Sequence, residues 1–129
     1  MAIKAVHPEK RILMVNGDGA FGLNGFDFDT LVRFDLPVVS VVGNDRQWGQ
    51  IAVGQIRQYG EERAIATRLA DSARYDRVVE ALGGYGEFVE TPDEIAPAIE
   101  RAFDSGKPAC VNVIMNPRPK GLEGGYSFM

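Results

Sequence analysis

The amino-acid sequence predicts an α/β fold in which a parallel sheet carries helices on both faces. Two observations lead to this prediction. Apolar runs typical of strands alternate along the chain with segments of helical periodicity, and such alternation indicates parallel strands covered by helices. In addition, the run Val38–Val42 is continuous and mostly β-branched, as in a strand buried on both faces of a parallel sheet.

The first half of the predicted domain contains a strand, a loop and a helix before Val38–Val42. Arg11–Val15 is an apolar run bounded by polar residues, which predicts a buried strand. We expect a tight loop at 16–19, because its paired glycines permit unusual backbone angles. Apolar side chains then recur at helical spacing over 25–34, and four phenylalanines near this helix are expected in the core: Phe21, Phe26, Phe28 and Phe34.

The middle of the chain gives a weaker signal. Residues 43–73 are rich in glycine, glutamine and charge, and we predict a long excursion with one helical turn near 65–70. Long excursions in compact domains are often functional. Arg74–Leu82 then has helical periodicity and is followed by two glycines that would end a helix, and Tyr85–Val89 is the next predicted strand.

The last predicted helix has the clearest boundaries. Thr91 is placed to cap its start, Pro92 to occupy its first position and Glu94 to complete a capping box. Gly106 is expected to end it. These signals predict one helix of several turns before the final strand.

The described pattern closes with a predicted strand at 109–115 and then a segment rich in proline and glycine. Cys110 lies in this strand as the only cysteine, so we interpret it as a buried structural thiol that forms no internal disulfide. A lone cysteine also fits a reducing compartment. We therefore predict one domain at 1–117, a C-terminal tail at 118–129 and a cytoplasmic location.

Composition limits the function classes. Hydrophobic residues make up 45% of the chain, which is enough for one core, and charged residues make up 25%. The formal net charge of −4 argues against a nucleic-acid partner, because such proteins usually carry a basic patch. No apolar run approaches the roughly 20 residues that cross a bilayer, so we expect no membrane partner.

Polar residues follow two of the predicted strands and mark a candidate site. Asp18 lies between Gly17 and Gly19 after the first strand, and Asn44 and Asp45 follow the second. The carboxyl ends of parallel strands meet at one edge of the sheet, where open α/β folds bind ligands. One carboxylate and one amide oxygen suit Mg²⁺, which prefers oxygen ligands, and the glycines let backbone amides approach a diphosphate.

These residues also resemble the binding motif of a known family. Gly17-Asp18-Gly19, the stretch Ala20–Gly43 and then Asn44 are similar to the motif of the thiamine diphosphate-dependent enzymes. The surrounding sequence resembles the acetolactate synthase branch, which includes 2-hydroxyacyl-CoA and oxalyl-CoA lyases, and 107–117 resembles the last helix–strand unit of the cofactor domain. The resemblance covers 2–117 and implies the thiamine diphosphate-binding fold.

The resemblance implies a role for each matched residue. Asp18 and Asn44 match the two side chains that bind Mg²⁺, and Arg46 lies where the family offers a backbone carbonyl to the metal. The positions implied to border the diphosphate or the mouth of the active site are Gly17, Gly19, Ala20, Asn44, Gln47, Trp48 and Gly49. Asp45 is a departure, since many members have a second asparagine there.

The resemblance further implies that this chain is one part of a larger catalytic unit. In the family, a glutamate from another domain activates the cofactor, and Glu61, Glu62 and Glu87 lack the setting for that role. We therefore expect no catalytic residue in this chain, a pyrimidine-binding domain in the same or another chain as its partner, and a homo-oligomer. The domain is also expected to be incomplete at its N-terminal edge, where an opening strand and helix are missing or cut short.

Several functions stay open. Acetolactate synthase-like ligation with a 2-oxo acid, and cleavage of a 2-hydroxyacyl-CoA or oxalyl-CoA substrate, both fit the cofactor half of such an enzyme. A non-catalytic nucleotide- or diphosphate-binding domain and an inactive fragment are alternatives of another class. Lys120–Tyr126 resembles the glycine-rich end of the lyases, although a disordered tail is the simpler interpretation.

Other polar residues have simpler interpretations. His7 is expected to be a solvated loop residue rather than a catalytic base, while Trp48 either packs in the core or lines the site. The arginines of the excursion and of the next helix are expected to form a solvated face rather than an anion site for a coenzyme A tail: Arg57, Arg63, Arg68, Arg74 and Arg77.

Overall fold

The computed structural model describes residues 1–117. The four strands of this part of the chain are β1 (Leu13–Gly17), β2 (Val39–Asn44), β3 (Tyr85–Val89) and β4 (Ala109–Ile114). Its helices are α1 (Ala2–Val6), α2 (Asp18–Asn24), α3 (Asp27–Arg33), α4 (Gly49–Tyr59), α5 (Tyr75–Ala81) and α6 (Pro92–Asp104), with a 3-10 turn at Glu61–Arg63. The predicted tail at 118–129, with Lys120–Tyr126, lies outside the described residues.

All neighbouring strands run parallel, in the order β1-β2-β4-β3. The predicted parallel α/β sheet is therefore confirmed. In the register of the first pair, Gly17 at the end of β1 lies beside Gly43 of β2. The carboxyl ends of these two strands thus meet at one edge of the sheet, where ligands bind in open α/β folds.

Helices cover both faces of the sheet, because the buried side chains separate into two clusters. On one face, side chains of α2, α3 and α5 pack against β2 and β4: Phe21, Phe28, Leu31, Val38, Val42, Val79 and Cys110. On the other face, the small residues Ala98 and Ala102 let α6 approach the sheet closely. The buried cluster on this face is Val39, Val89, Ala98, Ala102, Ala109, Val111 and Val113. The alternation of Val39 and Val42 between the faces follows from the period of two in a strand.

The prediction that the first strand is buried is wrong for the described residues. Leu13, Met14 and Val15 are 47%, 42% and 74% exposed. Their strand lies at an edge of the sheet and pairs only with β2. An apolar run predicts a strand, but it does not reveal whether a neighbour covers that strand.

Two of the four phenylalanines expected in the core are exposed. Phe21 and Phe28 are buried, whereas Phe26 and Phe34 are 79% and 64% exposed. The exposed pair flanks α3 as the residues just before and just after it. They therefore lie beyond the helical stripe that turns Phe28 and Leu31 toward the sheet.

The tight loop expected at 16–19 is absent from the structure. Strand β1 continues through Gly17, and α2 begins directly at Asp18. Gly17 has φ −85° and ψ 165°, which is extended backbone open to any residue. The glycines here are therefore not required for a turn, and the single helix expected at 25–34 is preceded by a second one, α2.

The excursion at 43–73 contains a helix that the sequence did not reveal. Helix α4 spans eleven residues, and Ala52 is its only buried one. Glycines at positions 49 and 54 weaken the helix signal of this segment in the sequence. The turn expected at 65–70 is not helical; instead Arg68 forms an isolated antiparallel bridge with Gln47.

Helix α6 begins at Pro92 as predicted, but its cap differs from a capping box. The Thr91 hydroxyl donates to the Glu94 carboxylate at 2.9 Å, and no side chain bonds the free amides of the first turn. Gly106 follows the helix with φ 66°, and Gly83 follows α5 with φ 95°. Both are in the left-handed region that favours glycine, so the predicted helix ends are confirmed.

Two of the simpler interpretations hold. Cys110 is fully buried, and burial raises the pKa of its thiol, as expected of a structural cysteine. His7 is about half exposed and lies 3.7 Å from Glu9. Within residues 1–117, no helix has the length and apolar character needed to span a membrane.

Candidate cofactor-binding site

Asp18 lies at the junction of β1 and α2, where the first strand meets the ligand edge of the sheet. Only 2% of its surface is exposed. One carboxylate oxygen accepts the Gly19 backbone N–H at 2.6 Å, and the other accepts the Arg46 N–H at 2.8 Å. The carboxylate is therefore held in place by the main chain of two separate segments.

The charge of Asp18 has no cationic partner within residues 1–117. The ion pairs of this part of the chain do not include it. Burial raises the pKa of Asp18 and the nearby Asp45 carboxylate adds to the rise, while the N–H donors of Gly19, Arg46 and Gln47 oppose it. The net shift of the pKa is upward, so the surroundings of Asp18 disfavour its ionised form. A nearby cation would stabilise that ionised form.

Asn44, the last residue of β2, lies beside this carboxylate and is 1% exposed. Its side-chain oxygen accepts the Arg46 N–H at 3.2 Å, and its amide nitrogen donates to the Ala73 carbonyl at 3.3 Å. The Arg46 N–H thus bonds both the Asp18 carboxylate and the Asn44 oxygen. The two predicted metal ligands are brought together, as strand-end geometry requires.

Arg46 has φ 60°, which places a non-glycine residue in the left-handed region. Its carbonyl, the predicted metal ligand, accepts the Leu69 N–H at 2.9 Å, which leaves its second lone pair for another partner. The Trp48 N–H in turn donates to the Thr67 carbonyl at 2.8 Å. The excursion therefore holds the segment that follows Asn44 in a fixed conformation.

The remaining predicted residues surround Asp18. Trp48 is 39% exposed, and a Cβ added to Gly19 would lie 3.3 Å from the indole Cδ1, so glycine is what allows this close approach. Gln47 donates to the Asp45 carboxylate and to the Pro117 carbonyl, both at 3.2 Å. Gly17, Ala20 and Gly49 lie at the end of β1, in the first turn of α2 and at the start of α4.

The donor set defines what this arrangement can bind. Within residues 1–117, no group of three His, Cys, Asp or Glu side chains could hold a metal ion. One carboxylate and one amide oxygen therefore provide only part of a coordination sphere. Mg²⁺ is commonly bound by one or two carboxylates, with water and phosphate oxygens as its other ligands, so the residues present fit a metal–diphosphate pair.

Sequence reasoning missed a buried polar cluster behind Asn44. Asp76 and Asn112 are 2% and 0% exposed, and the Asp76 carboxylate accepts hydrogen bonds from both Arg74 and Asn112. Arg74 pairs with Asp76 while 37% of its side chain stays exposed, and Arg57, Arg63, Arg68 and Arg77 are exposed as expected. An asparagine within the apolar strand at 109–115 was the one local signal of this cluster.

Comparison with known proteins places the chain in a family. Residues 1–113 match the family described as thiamine pyrophosphate enzyme, C-terminal TPP binding domain. The chain belongs to this family, which confirms the resemblance drawn from the Gly-Asp-Gly motif. Thiamine diphosphate, another name for thiamine pyrophosphate, is the cofactor of this domain.

Its relatives carry the names of several enzymes. The chain is 46% identical to the acetolactate synthase large subunit IlvG of Mycobacterium tuberculosis, over 91% of this chain and 21% of the relative. It is 36% identical to a 2-hydroxyacyl-CoA lyase of Oryza sativa, over 97% of this chain and 22% of the relative. It is 34% identical to an oxalyl-CoA decarboxylase of Escherichia coli, over 89% of this chain and 20% of the relative. The chain thus spans 20–22% of the length of these relatives.

Proposed function

We propose that this chain supplies the diphosphate- and Mg²⁺-binding half of the active site in a thiamine diphosphate-dependent enzyme. One observation supports this above the others. Asp18 is a buried carboxylate without a cation within residues 1–117, and it shares an N–H donor with the Asn44 oxygen. A buried charge of this kind calls for a paired or coordinating partner, and a divalent cation on a diphosphate would be one.

Each residue would have a defined task. Asp18 and Asn44 would bind Mg²⁺ through side-chain oxygens and Arg46 through its carbonyl, while Gly19 and Ala20 would face the diphosphate. The nearby positions Gly17, Gln47, Trp48 and Gly49 would border the diphosphate and limit access of water. When bound, thiamine diphosphate supplies the carbon centre and the electron storage for the reaction, and the protein supplies binding and orientation.

The reaction proposed first is acetolactate synthase-like formation of a carbon–carbon bond next to a carbonyl, from a 2-oxo acid. The 46% identity to a protein with that name supports it. Cleavage of a 2-hydroxyacyl-CoA is the second candidate. Its support is the match to a lyase over 97% of the chain, which must include part of 118–129, where a lyase-like ending was expected. Assays with pyruvate and with a 2-hydroxyacyl-CoA would separate the two.

The proposal includes partners. The catalytic glutamate and the pyrimidine-binding domain would lie outside the residues of this domain, either in another part of the same chain or in another subunit of a homo-oligomer. A length of 20–22% of the relatives supports the need for such a complement. The buried lone Cys110 is compatible with the cytoplasmic location that we propose.

Trp48 provides a direct test, because it is the only tryptophan and its indole lies against Gly19. Its fluorescence would be followed in the purified protein while thiamine diphosphate is added, once with Mg²⁺ and once with a chelator. We expect a saturable change in emission with Mg²⁺ and little change in the chelator. Asp18→Ala should abolish the Mg²⁺-dependent change.

The matched control is Asp27→Ala, which removes an aspartate from the start of α3 without touching Asp18. It should respond to thiamine diphosphate as the wild type does. Equal changes in emission of the wild type and Asp18→Ala would contradict the proposal. A change in emission that is the same with Mg²⁺ and with the chelator would also contradict it. Such a result would favour an ordinary nucleotide- or diphosphate-binding domain.

A further inference from the structure

A polar cluster with two buried members and one half-buried arginine lies next to Ala73, whose carbonyl bonds Asn44. It consists of Arg74, Asp76 and Asn112 and is called here the 74–76–112 cluster. The Arg74 guanidinium donates to both Asp76 oxygens, at 2.6 to 3.2 Å, and lies 3.9 Å from the centre of the Phe88 ring. The Asn112 amide donates to the same carboxylate at 3.1 Å.

Burying these polar groups against the sheet costs free energy of folding. Asn112 is fully buried in the middle of β4, between Val111 and Val113, and its side-chain oxygen has no hydrogen-bond partner within residues 1–117. An unsatisfied buried acceptor costs about 1–3 kcal/mol. The Arg74 side chain is 37% exposed, and ion pairs that are open to solvent usually contribute little net stability. Stability alone therefore does not explain these residues.

The main chain connects the cluster to the candidate metal site. Arg74 is the residue that precedes α5, and its side chain bonds Asp76 two positions further on. The bond fixes the chain where it enters the helix, and Ala73 is the residue immediately before. The Ala73 carbonyl is the acceptor for the Asn44 side-chain amide.

This acceptor and the Arg46 N–H together set the orientation of the Asn44 amide. A carbonyl can bond only the NH₂ end of the side chain, so the oxygen turns to the other side, where it meets the Arg46 N–H. If Ala73 moved, the amide could rotate and present its nitrogen to a cation. An NH₂ group has no lone pair to offer a metal.

We propose that the 74–76–112 cluster is a positioning device that holds the Asn44 oxygen toward the metal site through the Ala73 carbonyl. This inference rests on the proposed function. Arg74, Asp76 and Asn112 are positioning residues and do not touch the cofactor. Outer partners that orient metal ligands typically change metal affinity about 10- to 100-fold when they are removed.

The test compares two arginines that make similar contacts in different places. Arg74→Gln removes the pair with Asp76, and Arg101→Gln removes the bidentate pair of α6 with Glu87 on β3. Mn²⁺ would serve as the probe for the oxygen ligands, and its dissociation constant would be measured on the full chain by electron paramagnetic resonance with thiamine diphosphate present. We expect the Mn²⁺ dissociation constant to rise about tenfold in Arg74→Gln. In Arg101→Gln it should change by no more than about twofold.

Thermal unfolding of the same variants separates positioning from folding. A merely structural role would alter melting temperature and Mn²⁺ affinity alike in both variants, and this outcome would overturn the inference. Arg74→Lys, which keeps the charge without the bidentate bond, should recover part of the affinity. It also serves as the second variant if Arg74→Gln does not fold.

A second readout does not depend on the metal. The side-chain amide signal of Asn44 in a nitrogen-15 spectrum should shift in Arg74→Gln and stay in place in Arg101→Gln. An unchanged signal in Arg74→Gln would overturn the inference. If the wild type binds Mn²⁺ no better than Asp18→Ala, the proposed function fails, and the amide signal alone then decides whether the cluster orients Asn44.

Discussion

Two aspartates in this molecule are buried to the same extent but have opposite surroundings. Asp18 and Asp76 are each 2% exposed. Burial raises the pKa of Asp76, but the bonds from Arg74 and Asn112 outweigh it, and the net shift is downward. Asp18 has only backbone donors against the same burial, and the neighbouring Asp45 adds to an upward shift.

The comparison distinguishes a carboxylate that the chain neutralises from one that it leaves available. Asp76 has an arginine at 2.6 Å, whereas no ion pair within residues 1–117 includes Asp18. Strongly perturbed carboxyl groups are common at functional sites but also occur in structural ion-pair networks. In this chain, both cases are present. The Asn44 amide lies between them, because it bonds the Ala73 carbonyl next to Arg74 and the Arg46 N–H that also bonds Asp18.

The largest expected effect is the loss of the Asp76 carboxylate. We expect Asp76→Ala to lower the free energy of unfolding by about 2 kcal/mol, because it leaves the fully buried Asn112 amide without its acceptor. Urea unfolding at pH 7 would measure it. Asp29→Ala is the control, since it breaks an exposed pair with Arg33 and should cost several times less. Similar losses in the two variants would mean that Asp76 has no greater structural role than a surface charge.

The pH dependence of that effect follows from the direction of the pKa shift. The folded-state pKa of Asp76 lies below the ordinary value of 3.8, so its ionised form stabilises the fold above that value. This contribution is lost as the pH falls through the lower folded-state pKa. The contribution of Asp18 to stability has the opposite pH dependence. Its raised pKa favours the folded state at low pH, and this contribution is lost as the pH rises.

We therefore expect the difference in free energy of unfolding between the wild type and Asp76→Ala to be constant from pH 7 to about pH 5. It should narrow below pH 3.8, where the unfolded chain is protonated and the folded carboxyl begins to follow. Urea unfolding at a series of pH values would measure both proteins. A difference that stays the same throughout this range would show that Asp76 is not stabilised as a carboxylate.

The sheet was predictable because its central strands are mostly apolar on both faces. Val38–Val42 and 109–115 lie at the centre of the sheet, and Ser40 and Asn112 are their buried polar residues. Helix α4 was hard to predict, because glycines at positions 49 and 54 interrupt its apolar residues and have low helix propensity. The junction at Asp18 was misread, since an Asp-Gly pair is typical of turns but also starts helices.

Part of the candidate site was predictable for a topological reason. Asp18 and Asn44 follow consecutive strands, and adjacent parallel strands bring their carboxyl ends together. The residues behind Asn44 were not predictable, because Asp76 and Asn112 are 36 positions apart and meet only through packing of α5 on β4. Local patterns report secondary structure, whereas such contacts depend on the tertiary arrangement.

The smallest expected effect concerns the space around Asp18. A Cβ at Gly19 would lie 3.3 Å from the Trp48 Cδ1 atom, whereas a Cβ at Gly22 of the same helix would meet nothing within 4 Å. Alanine is more stable than glycine within a helix by roughly 0.5–1 kcal/mol, so Gly22→Ala should raise the free energy of unfolding by about that amount.

Gly19→Ala should gain less than Gly22→Ala, because the indole of Trp48 must move a few tenths of an ångström, and it should shift the emission maximum of this only tryptophan. Urea unfolding and emission spectra of the two variants would measure both effects. Equal gains with unchanged emission would mean that Trp48 does not rest on Gly19 in solution. Asp18 would then be more accessible to water than Asp76, and the contrast between the two aspartates would reflect exposure rather than the absence of a cation.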